Sequence, residues 1–79
     1  MPTVTVRYFA VLREQRGLEE ERVALEPGDT PATLYQRLFP PGPRGTLKVA
    51  FARNLEYVTG DVALADGDEI AFLPPLGGG

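Results

Sequence analysis

DGDEIAFLPPLGGG, residues 66–79, joins two segments of opposite character. In its first half Ile70 and Phe72 alternate with Ala71 and Leu73, the period of a strand with one buried face, after a turn rich in Asp and Gly. In its second half Pro74 and Pro75 fix φ, and Pro75 pushes Pro74 towards the extended basin. The chain therefore leaves the strand as a stiff spoke that cannot fold back as a ladder strand. Beyond Leu76, the glycines Gly77, Gly78 and Gly79 lack β-carbons, so the segment has the smallest cross-section a peptide can have and can follow a narrow channel. From Pro74 to Gly79 the chain could reach about 20 Å at about 3.3 Å per residue, deep enough to enter another protein's active site. At its tip sits a carboxylate with an ordinary pKa of about 3.5, a poor electrophile until activated. A frayed end alone would explain three glycines. It would not explain the rigid spacer, the strand that precedes it, or the lack of catalytic side chains elsewhere in the chain.

Working outward, TVTVRYF (residues 3–9) places Val4, Val6 and Tyr8 on one side, a strand again. AVLREQRG carries good helix formers and stops on Gly17, which predicts a helix of about two turns. ERVALE (residues 21–26) reads as a second strand pairing with the first. Thr30-Pro31 is a helix start, with a side-chain oxygen for an orphan N–H and proline where no donor is needed. Leu34 and Leu38 then share a face flanked by Tyr35 and Phe39, until Pro40-Pro41-Gly42-Pro43 ends the helix. LKVAFA from Leu47 predicts a strand, Asn54 a turn before LEYV, and EIAFL the last strand. This order predicts an α+β domain of two layers, a sheet of four to five strands with one main helix on one face plus a short helix. It would occupy residues 1–73, with 74–79 as a flexible tail. If Val4, Val6, Tyr8, Ile70 and Phe72 face the helix, then Phe9, Ala71 and Leu73 lie on an open face, where large apolar residues suit a partner.

Composition narrows the chemistry. The chain of 79 residues makes one domain that buries a little over 60% of its unfolded surface, leaving no room for a deep active-site cleft. With no cysteine there is no disulfide or thiolate metal site; with no histidine no side chain has an unperturbed pKa near neutrality; and Lys48 is the only lysine. These absences argue against an autonomous acid–base or nucleophilic enzyme. Asp61, Asp66, Asp68 and Glu69 lie close enough to suggest a carboxylate pair, but ADGDE reads more simply as a turn. A net charge of −3 and dispersed arginines argue against nucleic acid, and no apolar run approaches the roughly 18 residues of a membrane span. MPTVTVRY does not read as a signal peptide, and the expectation is a cytoplasmic protein.

The same residues carry a family resemblance. ADGDEIAFLPPLGGG (residues 65–79) resembles the C-terminal DGDEVAFFPPVxGG pattern of the small, sulfur-carrying subunits of molybdopterin synthase, the MoaD family within the MoaD/ThiS sulfur carriers. VRYFAVLREQRG (residues 6–17) is similar to that family's YFAxLRExxG segment through Tyr8, Phe9, Ala10, Leu12, Arg13, Glu14 and Gly17, and Asn54, Glu56, Tyr57 and Val58 to its NxEYV. Gly77 departs from the family, which more often has a side chain there; residues 18–46 match most loosely.

The resemblance implies a β-grasp, ubiquitin-like fold and sulfur carriage. It implies no bound cofactor, ATP being used by a MoeB-like adenylating enzyme that activates the Gly79 carboxylate so that sulfur can replace the nucleotide as a thiocarboxylate. It further implies a large MoaE-like subunit, in a heterotetramer of two small and two large subunits, that takes the sulfur onto cyclic pyranopterin monophosphate. On that reading Gly79 is the reactive residue, while Pro74, Pro75, Leu76, Gly77 and Gly78 line the inserted tail. Leu73, Phe72, Tyr57 and Phe9 would contribute to docking, with plain core packing the competing role for Phe72 and Tyr57. Alternatives are a sulfur carrier for thiamine synthesis or transfer-RNA thiolation, a ubiquitin-like modifier joined to lysines of other proteins, and an interaction module with an inert tail.

Overall fold

In the computed structural model, which describes residues 1–43 and 45–75, the alternating segments become five strands and the two helix-forming segments become two helices. Their order is β1 (Thr3–Tyr8), α1 (Ala10–Arg16), β2 (Glu20–Ala24), α2 (Pro31–Leu38), β3 (Ala50–Arg53), β4 (Glu56–Val58) and β5 (Glu69–Leu73). They form one sheet in the order β2-β1-β5-β3-β4. The first and last strands pair in parallel at its centre, with Val6 beside Ile70 and Tyr8 beside Phe72, and the other pairs are antiparallel. This mixed sheet is the expected β-grasp arrangement.

The period-2 pattern decides which face is buried. Val4, Val6, Tyr8, Ile70 and Phe72 lie on the helix side and are all at most 2% exposed, joined there by Leu12, Leu34 and Tyr35. Phe72 is the hub of an aromatic cluster, its ring centroid 5.1 Å from Tyr35, 5.8 Å from Phe51 and 6.3 Å from both Tyr8 and Phe39. Burying a side chain of this size contributes about 1.5–3 kcal/mol before its neighbours are counted.

Local chemistry sets the helix ends. Thr30 accepts from the Thr33 N–H at 3.2 Å, and Thr33 Oγ1 accepts from the Thr30 N–H at 2.8 Å, a capping box with Thr in the usual Glu or Gln place. Pro31 follows at the first helical position, and the helix stops at Leu38, before Pro40. The short helix ends on Gly17, at φ 73°, where glycine bears the left-handed conformation without a β-carbon penalty.

The first three strands have ends that differ from the sequence expectation. The first strand ends at Tyr8, because Phe9 turns to cap α1 and Ala10 takes a positive φ of 51°. The second spans Glu20–Ala24 rather than residues 21–26. The third begins at Ala50 rather than Leu47, and its partner explains why: Ala50 pairs with Leu73, so the next residue of β5 to be matched is Pro74, which has no N–H to donate. The Leu47 carbonyl instead accepts from the Tyr35 hydroxyl at 2.7 Å.

ADGDE is a turn. Gly67 adopts φ 88°, Asp68 accepts from the Ala65 N–H at 2.9 Å, and Asp66 accepts from the Thr3 N–H at 2.8 Å. Among the described residues no group of acidic side chains could hold a metal ion, and no helix is long and apolar enough to cross a membrane.

Candidate functional site

The root of the tail is built by β5. Hydrogen-bonded on both sides, to β1 and β3, that strand delivers Pro74 and Pro75 to the pole of the sheet where β1 also ends. Pro74 is half-buried and Pro75 exposed. Leu76, Gly77, Gly78 and Gly79 lie outside the described residues.

The face away from the helices is read from the register. One row across it runs Arg7, Ala71, Ala52, Tyr57, and the next pairs Leu73 with Ala50. Alanines at 50, 52 and 71 make a low, flat apolar floor, from which Tyr57 stands out at 80% exposure and Leu73 is half-buried. Towards β1 and β2 the face becomes charged, with Arg7, Glu20 and Arg22. An apolar patch of this kind, continuous with the tail root, is what a docking surface requires.

Of the four residues expected at a partner surface, three are accessible: Leu73, Tyr57 and Phe9, the last 38% exposed. Phe72 is corrected. It is 0% exposed, because its parity along β5 matches Ile70 and points the ring under α2. Its role is to anchor the strand that carries the tail.

A polar contact missed in the sequence holds the corner between β1 and α1. The Tyr8 hydroxyl donates to Glu21 Oε1 at 2.6 Å, and Arg16 donates to the same oxygen. The Arg16 guanidinium also sits 5.8 Å from the centroid of the Tyr8 ring. Burial, reinforced by the Glu21 carboxylate, pushes the Tyr8 hydroxyl well above its usual range. Burial alone would raise Glu21, but hydrogen bonds from Tyr8 and Arg16 outweigh it and hold that carboxyl below its usual range. The trio ties α1 to β2 and so fixes Phe9 beside the tail root. No spacing rule joins positions 8, 16 and 21, so no local signal could have found it.

None of the described residues at this site is a histidine or cysteine, and its carboxylates are turn and ion-pair partners. What the described residues supply is a strand, β5, that carries Pro74 and Pro75 out beside an apolar face.

A five-stranded mixed sheet gripping a helix, with its central strand extended outward beside an apolar face, defines a ubiquitin-like β-grasp protein. The chain belongs to the ThiS family, whose family model matches residues 6–79. It is similar to the molybdopterin synthase sulfur carrier subunit of Chlamydomonas reinhardtii, 38% identical over an alignment that covers 96% of this chain and 98% of that one. The subunit of the same name from Escherichia coli K12 is 36% identical, over 96% of this chain and 99% of its own length. Among solved structures, small archaeal modifier protein 1 of Haloferax volcanii superposes with a TM-score of 0.80 at 26% identity, over 96% of this chain and all of its own.

Proposed function

We propose that this chain is the sulfur-carrying small subunit of molybdopterin synthase, and that Gly79 bears the sulfur. The observation that carries this reading is the placement of β5: a central strand, held on both edges, that runs into Pro74-Pro75 beside the apolar floor of Leu73, Ala71 and Ala52. Family membership and two relatives named as sulfur carrier subunits support it.

The chemistry belongs to the terminus. An adenylating partner joins the Gly79 carboxylate to the α-phosphate of ATP, releasing pyrophosphate. Sulfur at the sulfide level, delivered as HS⁻, then attacks the acyl carbon, the C–O bond to the phosphate breaks, AMP leaves and a thiocarboxylate remains. In the large subunit that sulfur passes to cyclic pyranopterin monophosphate, and water restores the carboxylate. The domain's residues do the positioning: Leu73, Tyr57 and Phe9 seat it on the partner, Pro74 and Pro75 hold the spoke straight, and Gly77 and Gly78 let it enter. Alone, the chain has no catalytic side chain; its working form is the complex with the large subunit, two copies of each.

A second reading, a ubiquitin-like modifier, is favoured by the likeness to the archaeal modifier and shares the first activation step. Intact-mass measurement after incubation with the activating enzyme, ATP and a sulfur source separates the two. Exchange of one oxygen for one sulfur, followed by product formation with the large subunit and pterin precursor, supports the carrier. Amide-linked conjugates with no sulfur gain support the modifier. Deleting Gly79 should abolish sulfur gain and leave the unfolding transition unchanged.

A further inference from the structure

At the same pole, on the helix side of the tail root, an open groove of about 730 Å³ runs between α1 and the connection from α2 to β3. Val11, Leu12, Phe39 and Leu47 supply its apolar walls, and Lys48 stands at its end. Val11 is 39% and Leu47 42% exposed, two of the larger apolar side chains left at the surface. Phe9, at the start of α1, links this groove to the open face of the sheet, since Phe9 and Leu73 each lie one residue past the last parallel pair.

Charge distinguishes the groove from its surroundings. In a chain of net charge −3, no carboxylate is among the described residues that line it, and Lys48 is the one cation among them. Lys48 makes no ion pair or side-chain hydrogen bond with any described residue. Lys48 lies on the unpaired segment leading into β3, two residues before Ala50, which pairs with Leu73 next to the tail root. An unpaired lysine thus borders the apolar groove on the segment that enters the sheet beside the tail-bearing strand.

We propose that this groove is a second half of the docking surface, so that a partner grips the tail root from both sides of the sheet. Its occupant is a loop at the mouth of the partner's tail channel that places a large apolar side chain between Val11 and Leu47 and a carboxylate against Lys48. This rests on the carrier reading above and adds what the partner must carry. The carboxylate would steer the approach and fix the register of insertion, while the apolar contact supplies the holding force.

The test is calorimetric titration of the full-length chain into the activating enzyme and, separately, into the large subunit. Lys48→Glu should weaken binding to at least one of them about tenfold at low salt, with the deficit shrinking at about 0.5 M salt as screening sets in. Lys48→Arg should bind like the unaltered chain, and Val11→Ser should weaken binding at all salt concentrations. Tyr57→Ser reports on the open face. If it weakens binding while Lys48→Glu and Val11→Ser both stay within about twofold of the unaltered chain, the groove is overturned and the carrier reading stands. If the unaltered chain binds neither partner, the carrier reading fails and the groove proposal falls with it.

Discussion

Neighbouring residues of one strand, Phe72 and Leu73, should separate stability from docking. Phe72→Ala removes the ring that touches Tyr8, Tyr35, Phe39 and Phe51 from a site with no exposure at all. Deletions of this kind cost about 3–5 kcal/mol, the lost transfer energy plus an unfilled cavity, and the rigid cluster offers little room for collapse. A chain of 79 residues at about 0.05–0.15 kcal/mol per residue has only about 4–12 kcal/mol to lose. The variant should therefore melt about 12–40 °C lower, at about 4–8 °C per kcal/mol, and be partly unfolded at room temperature if the total is near the low end. Leu73→Ser, on the other face and half-buried, should cost about 1 kcal/mol or less, yet weaken binding to the large subunit. Urea unfolding followed by far-ultraviolet circular dichroism gives the first quantity and calorimetric titration the second. A Phe72→Ala loss below about 1.5 kcal/mol, accompanied by weakened binding of the folded protein, would refute this division of labour along β5.

Three further perturbations follow from the packing. Gly60→Ala would set a β-carbon 3.0 Å from Phe51 Cε2 and 3.1 Å from the Ala32 Cβ, so it should destabilise by about 1–3 kcal/mol in the same urea assay. Thr30→Ala removes half of the capping box of α2 and should cost about 1 kcal/mol, with Thr30→Ser restoring most of it. Hydrogen bonds from Arg37, against the opposing effect of burial, hold the Asp29 carboxyl below its ordinary range. Because its folded pKa lies below the unfolded value of about 3.9, the stability it lends is present above that value and lost as pH falls through the folded one. Arg37→Gln should lower stability at neutral pH and flatten the acid limb of a stability-against-pH curve; an unchanged limb would rule the pair out as its source.

Alternation made the two-layer plan legible, because Val4, Val6, Tyr8, Ile70 and Phe72 share a parity that survives any small error in strand ends. Thr30-Pro31 and Gly17 likewise announced the helix limits through local backbone chemistry. What the sequence hid depends on partners far along the chain. LKVAFA has the propensity for a longer strand, yet it pairs only from Ala50, since the neighbour opposite turns into prolines. Parity also says which side a residue faces but not how much covers it. Phe72 therefore carries both a docking and a core-packing reading in the sequence, and the cover above it decides for packing, while the groove lined by Lys48 belongs to elements that meet only in the fold.

The position of β5 carries a mechanical consequence. A pull on Pro75 acts along a strand clamped by one parallel and one antiparallel ladder, so force is borne in shear by many hydrogen bonds at once and cannot unzip them singly. Any load applied at Pro75 is thus shared across both ladders of β5, and the strand resists being peeled from the sheet one bond at a time.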